Sequence, residues 1–555
     1  MSASDPTEHA AAYLEHDLPA RWPAGSVCPA RVRVRNLGAR TWQREPADGH
    51  GVALLVACDG QVVALEALPR SAVEPAGEAS FQLVLPVPEA AGPHEYAFDL
   101  VEHGVTVFSA QGVAKLRLTL EAVPETLLPS ERLAAAARRS SAWHYQPTRG
   151  LHRGRDGARY PLFVAEARGC RLTDADGREY LDYVMGWGAA LLGYAHPRVQ
   201  AALARALGSG AVLPFPVADE IAVAERLNAQ FPGAGRVNFG KNGSDVCTLA
   251  ARLARVLSGR HTLLYSGYHG WQDFWAEQAG FAQSGIPARA APLIHRFRMN
   301  DVQDFLRLFE AHRADLAAVF VEPAGAVEGE QGPLPDADAA FLRLLRAKTD
   351  EAGALLVFDE IMTGFRYRSG SVQQAVGVVP DLTCLGKALG GGMPLSALVG
   401  RAELMERGMG RTHYGPTFKG EAYSLAAARA ALEVYREEPV AEHVARFGEA
   451  LRSVIDEAAR RAGLAARCIG PSFRMVVAFD EPDLDRQRLL RTLLHQELLR
   501  EGVVTYKGFM LPSYAHDERA LEQSALAFDR ALRSLAAAEA GDRLEQALEI
   551  PLLGL

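Results

Sequence analysis

The chain has 555 residues, 48% of them hydrophobic and 23% charged, enough to bury more than one core and to hold up to three domains. A formal net charge of −8 argues against a nucleic-acid polyanion as its main partner. The six cysteines stand singly, with no Cys-x-x-Cys pair, which points to reduced thiols and to no metal site. The opening MSASDPTEHA lacks a basic stretch followed by an apolar one, and no apolar run reaches the ~20 residues a membrane helix needs. The expectation is a cytoplasmic protein.

Residues 1–14 are expected to be a flexible N-terminus. Over 15–122 short segments alternate apolar and polar side chains, at 30–36, 51–58, 61–68, 79–85, 94–102 and 113–120. Turn signals such as Asp48-Gly49, Asp59-Gly60 and Pro75-Ala76-Gly77 separate them. VACDGQV (56–62) reads as a hairpin whose Asp-Gly suits a type I′ turn. Strands at this spacing predict a two-sheet antiparallel sandwich, and NLGARTW (36–42) resembles Ig-like accessory modules. Such a module binds a carbohydrate or protein partner, or else serves as a packing domain. Residues 123–168 read as a Pro-punctuated linker, a helix from about Ser130 to Ser140, and a basic arm.

The segment 169–199 opens as a hairpin around Asp176-Gly177 and leads to Trp187, flanked by Gly186 and Gly188. Bare flanks let Trp187 lie flat against a small substrate; a core tryptophan is the alternative. RVNFGKNGSDVCTLAARLARVL (236–257) is a strand, a turn and a helix, with Gly243 and Ser244 at the helix N-terminus. Unpaired N–H groups and the helix dipole suit a phosphate there, although Ser and Asp also cap helices for structural reasons alone. LLYSGYHG (263–270) ends a strand at Tyr268, next to a glycine and free to stack on a flat ring. A buried strand ends at Glu322, placed for the site or for a structural salt bridge. LLVFDE (355–360) puts Asp359 at the carboxyl end of another, where open α/β sheets hold ligands. Lys387 stands between Gly386 and Gly390-Gly391-Gly392, open to close approach. An amine nucleophile and an acid able to keep a ring nitrogen protonated are what pyridoxal phosphate requires.

FDEIMTGFR followed by DLTCLGKALGGGMP resembles the signature of class III, fold-type I pyridoxal-phosphate aminotransferases, particularly glutamate-1-semialdehyde aminomutase and its relatives. The likeness extends over roughly residues 130–540 through several motifs in the family's order. It implies an α/β large domain (169–425) with a mostly parallel sheet, a small α+β C-terminal domain (426–540) and a tail (541–555). It implies that Lys387 forms the Schiff base with the cofactor and that Asp359 pairs with the pyridine nitrogen. By the same likeness Ile361 and Tyr268 pack on the two ring faces, Gly243 and Ser244 hold the phosphate, and Glu322 lies near the cofactor's O3′ side. Thr417 matches a threonine that reaches the phosphate of the neighbouring subunit, implying a homodimer with shared active sites. The arm 143–160 lies near the active site in the family, where Arg149, Arg153 or Arg155 could pair with a substrate carboxylate; a solvated basic loop is the alternative. Glu421 departs from the asparagine of many relatives.

The expectation is an aminotransferase acting on a small-molecule amino donor and a carbonyl acceptor. An intramolecular aminomutase shares the first half of that chemistry and is the alternative. A non-catalytic scaffold with a retired cofactor domain is the contrasting one, opposed by the presence of Lys387, Asp359, Ser244 and Thr417.

Overall fold

The computed structural model describes residues 9–44, 51–124, 127–140, 152–153, 159–160, 162–272, 275, 293–325, 336–506, 508–550 and 552. The described residues from 9 to 123 form two facing sheets, as the alternation requires. One sheet joins Ala11–His16, Val27–Asn36 and Glu78–Pro86; the other joins Arg21–Pro23, Leu116–Val123, Gly92–Glu102, Val52–Cys58 and Gln61–Ala67. Pairing is antiparallel except between Arg21–Pro23 and Leu116–Val123. Inward-facing Val32, Val34, Phe81 and Leu83 meet Leu54, Val56, Phe98 and Leu100 in one core. At the Asp59-Gly60 turn both central residues have positive φ, +48° and +83°, which is the type I′ geometry.

The flexible N-terminus expected over 1–14 ends too late. Ala11–His16 is already a strand, held along Val27–Asn36, and His9 is buried with its imidazole 2.6 Å from Glu102. The pairing partner lies some 20 residues downstream in the sequence, beyond local pattern.

The second body is a seven-stranded sheet in the order Arg236–Gly240, Ser396–Gly400, Leu382–Leu385, Leu355–Asp359, Leu316–Val321, Thr262–Ser266, Ile294–Arg296. Only Ser396–Gly400 runs against its neighbours. Its central strands are buried and mostly apolar because both faces are covered, whereas the edge strands carry Arg236, Asn238, His295 and Arg296. Val357, Phe320 and Tyr265 pack on the side of the Gly243–Ser258 helix, whereas Phe358, Val319 and Leu264 join the opposite core.

The small domain combines strands from both sides of that sheet in sequence. Glu179–Asp182 pairs in parallel with Val503–Val504, while Ala466–Ile469, Met475–Phe479 and Phe509–Met510 form a second sheet. Val440–Ala462, Leu484–Arg500 and Glu518–Ala540 pack around them. The stretch from 541 is no free tail. Leu544 and Leu548 are buried in this core, Glu545 pairs with Arg70 of the sandwich, and the Arg31 guanidinium donates to the Gln546 carbonyl at 3.4 Å. Among the described residues no helix is long and apolar enough to cross a membrane, and the six cysteines are buried and form no disulfide.

Candidate active site

Three parallel strands, Thr262–Ser266, Leu316–Val321 and Leu355–Asp359, end at one cleft of about 420 Å³ and deliver Tyr268, Glu322 and Asp359 to its wall. Lys387 arrives from the next strand, Leu382–Leu385, and Gly243 and Ser244 from the N-terminus of the Gly243–Ser258 helix. Ile361 lines the same cleft.

Asp359 is sealed from solvent. Its Oδ1 accepts the Ile361 N–H at 3.1 Å; its Oδ2 lies 2.9 Å from His269 Nδ1 and 3.4 Å from the Cys247 thiol. His269 Nε2 in turn faces the Ser266 carbonyl at 3.2 Å. Both ring nitrogens meet acceptors, so both carry hydrogens and the ring is an imidazolium. Burial opposes that charge, but the hydrogen bond and field of Asp359 overcome it and hold the His269 pKa well above its ordinary value. Glu360, next in sequence, is equally buried but accepts from the Val372 N–H at 2.8 Å and from Thr363 Oγ1 at 2.9 Å, and does not line the cleft.

Lys387 sits at φ +44°, the first residue of a 3₁₀ turn after Gly386. Burial lowers its amine to about 8, aided by the Arg474 cation and opposed by Glu322 and Asp359. Near neutrality a useful fraction of the amine is therefore unprotonated.

The glycines by the helix terminus have no room for a side chain. A Cβ on Gly243 would stand 2.5 Å from Ile361 Cδ1, and one on Gly270, which also has φ +125°, 2.4 Å from Ser244 Oγ. Asp245 accepts the N–H groups of Lys241 and Asn242 at 3.0 and 2.9 Å, fixing the turn. The N–H groups of Gly243 and Ser244 belong to the first turn, which an α-helix leaves without internal acceptors.

Trp187 stands beside this cleft, not in its wall. It is 45% exposed at φ +53°, edge-on to Tyr506 with ring centroids 5.9 Å apart. The carbonyl of the adjacent Gly188 accepts from Arg366, a fully buried guanidinium that burial lowers to about 10. Thr417 is exposed and is not among the residues lining this chain's cleft. Arg153 pairs by its backbone with Arg159 in a two-stranded ribbon; its side chain, and all of Arg149 and Arg155, lie outside the described residues.

Sequence reasoning missed Arg474 and Lys241. Arg474, one residue before the Met475–Phe479 strand, donates from Nη1 to Glu322 Oε1 at 3.0 Å and to the Gly325 carbonyl at 2.9 Å. Glu322 is thus both a wall of the cleft and half of an ion pair, and its Oε2 accepts the Tyr268 N–H at 3.0 Å. Lys241 donates to Glu421 Oε2 at 2.8 Å and Ser424 Oγ at 3.1 Å. The alternation of a short strand gives no hint of either partner.

An amine of lowered basicity, a buried carboxylate–imidazolium pair and a helix terminus cleared of side chains fit a flat aldehyde that carries a ring nitrogen and a phosphate.

The profile of the family described as Aminotransferase class-III matches residues 153–506. A glutamate-1-semialdehyde 2,1-aminomutase of Pelotomaculum thermopropionicum is 38% identical over 332 residues, covering 58% of this chain and 75% of its own. One from Methanosarcina acetivorans is 32% identical, covering 66% and 91%. Among solved structures, the pyridoxal-phosphate internal aldimine form of the FumI protein of Sphingopyxis sp. MTA144 superposes with a TM-score of 0.68 at 29% identity, over 76% of this chain and 100% of that one. An omega-transaminase from Sphaerobacter thermophilus gives 0.62 at 30%, over 68% and 92%. The chain belongs to the class-III aminotransferase family, pyridoxal-phosphate enzymes of fold type I.

Proposed function

We propose that this cleft moves an amino group between a small amine or amino acid and a carbonyl compound, with Lys387 as its catalytic residue. The observation that carries the reading is an amine lowered to about 8 in the same cleft as the buried Asp359–His269 pair. When bound, pyridoxal phosphate supplies an electron-withdrawing ring that acidifies the Cα–H of an attached amine. Lys387 would hold its aldehyde carbon, and Nζ is the base that takes and returns a proton at the substrate Cα. Asp359, paired with His269, would hold the ring nitrogen protonated. Tyr268 and Ile361 would flank the ring, the Gly243 and Ser244 amides would receive the phosphate, and Glu322 would stand on the O3′ side.

A homodimer, with Thr417 reaching the partner's phosphate, belongs to the same proposal. It is supported by exposed Leu213, Phe215 and Phe418, on segments joined by the Ala422 N–H donating to the Ala211 carbonyl at 2.8 Å. Trp187 and Arg153 are read as substrate-binding residues, and the sandwich as an accessory domain in a cytoplasmic enzyme. We divide the chain into a sandwich from 9 to 123, a linker and arm to 168, a large domain to 425 and a small domain to 550. The small domain also takes the hairpin that follows residue 168.

The test is an absorbance band in the visible, present in the purified protein and lost in Lys387→Ala, followed by a panel of amino donors that bleach it. Absence of the band from protein supplied with pyridoxal phosphate would defeat the reading. The second reading, an intramolecular aminomutase, is favoured by the names of the curated relatives. Isomerisation of an amino-ketone with no donor able to convert the cofactor would select it.

A further inference from the structure

The sandwich carries a cluster of donor atoms that shares no residue with the cleft. The Cys58 thiol, an Asp59 carboxylate oxygen and a His94 ring nitrogen lie within 4.8 Å of one another. Strand pairing brings them together. Cys58 ends the Val52–Cys58 strand opposite Tyr96, so His94, two residues before Tyr96, stands diagonally across on the same face. Asp59 follows at the first central position of the type I′ turn. His94 comes from 35 residues further along the chain, so no spacing of cysteines announces the cluster and the expectation of no metal site passed over it.

Two of the three side chains are held from behind. The Asp59 N–H donates to the Glu95 carbonyl and Asp59 Oδ1 accepts the Glu95 N–H, each at 2.9 Å. His94 Nε2 donates to the Ala90 carbonyl at 2.8 Å. Asp59 Oδ2 and His94 Nδ1 are left facing each other at 2.6 Å beside the thiol. A backbone acceptor on the far ring nitrogen is what orients a metal-binding imidazole, with its near nitrogen aimed at the ion.

Cys58 is buried, whereas the Asp59 side chain is 50% exposed, so an ion can enter from solvent and keep a water as its fourth ligand. One thiolate, one carboxylate and one neutral imidazole balance a divalent charge. Mixed sulfur, nitrogen and oxygen donors suit Zn²⁺, not Mg²⁺ or Ca²⁺, which take oxygen ligands. We propose that Cys58, Asp59 and His94 form a zinc site that ties the hairpin turn to the Gly92–Glu102 strand. Binding makes three bonds to the ion and releases two protons to solvent, the one between His94 and Asp59 and that of the thiol; nothing is oxidised or reduced. The site stands whether or not the cleft holds pyridoxal phosphate.

The test uses the full-length holoenzyme, stripped of metal and titrated with Zn²⁺ in competition with a chromophoric chelator. The wild type is expected to take up one ion per chain. X-ray absorption at the zinc edge should then show one sulfur at about 2.3 Å, with nitrogen and oxygen at about 2.0–2.2 Å. His94→Gln and Cys58→Ser should each weaken binding by more than the roughly 10- to 100-fold that loss of an outer partner alone costs. Cys58→Ser should also remove the sulfur, and both variants should keep the cofactor absorbance of the wild type. His94→Gln alone decides the matter if the buried Cys58→Ser fails to fold. A wild type that yields all its zinc to the chelator, a zinc shell without sulfur, or a sulfur that survives Cys58→Ser overturns the proposal. So does unchanged affinity in His94→Gln. If these hydrogen bonds only brace the turn, zinc will not raise the urea midpoint of the wild type above that of His94→Gln, which also overturns it.

Discussion

His269 and Asp359 meet at 2.9 Å with both side chains sealed from solvent, forming an ion pair within the protein. Removing one member strands the other, which costs about 3–5 kcal/mol for buried pairs. His269→Ala is expected to lower the stability of the cofactor-free protein by about that much, measured by urea unfolding. The pH dependence follows from the raised imidazole pKa. Stability from this pair is fully present below the unfolded value of about 6.5 and is lost as pH rises through the folded one. The gap between wild type and variant should therefore narrow on the alkaline side. A constant gap from neutral to alkaline pH would show that the pair is not charged.

Lys387 gives the opposite sign. Burial lowers its amine to about 8, so the reactive unprotonated form accumulates well before that of an ordinary lysine at about 10. The rate at which apoprotein takes up pyridoxal phosphate into its visible-absorbing form should rise with pH and level off above about 8. A rate still climbing steeply beyond pH 10 would show an amine in ordinary surroundings.

The fit of the phosphate turn rests on two absent side chains. A Cβ at Gly270 would overlap Ser244 Oγ, and one at Gly243 would overlap Ile361. Overpacking of this kind costs about 1–3 kcal/mol, or roughly a 5- to 150-fold loss of cofactor affinity if the strain is relieved in the empty site. Gly243→Ala should show that loss in a cofactor titration while its urea midpoint stays close to the wild type. If the affinity is unchanged, the turn does not hold the cofactor.

Much of this was legible because its signals are local. Asp59-Gly60 specifies its own turn, and apolar runs ending in Glu322 and Asp359 specify strands whose ends share one rim. Arg474 was not legible. It reaches the cleft from a separate small-domain sheet, and only the packing of two domains brings it to Glu322. Thr417 and Trp187, named by motif likeness, both lie outside the lining of their own chain's cleft, and Thr417 was expected to serve a neighbouring subunit. The strand at Ala11 and the stretch after Ala540 escaped because their partners lie far away in sequence.

That last stretch packs its apolar side chains into the small domain and meets the sandwich at Arg70 and Arg31, beside a separate contact of Ser71 with Asp485. Leu544, Leu548 and Ile550 are buried, whereas the Arg70–Glu545 pair is partly exposed, with side chains 44% and 28% accessible. An exposed pair contributes at most about 1 kcal/mol, while each buried aliphatic side chain contributes about 1.5–3 kcal/mol. The apolar wedge should therefore dominate. Arg70→Ala is expected to shift the urea midpoint little. Removal of the residues after Gly541 should cost roughly 4 kcal/mol or more, after allowance for a compact unfolded chain. It should also speed proteolytic release of the sandwich, through loss of the contacts that Arg31 and Arg70 make with Gln546 and Glu545. Equal effects of the two changes on the urea midpoint would show that the buried side chains of this stretch add nothing beyond the ion pair.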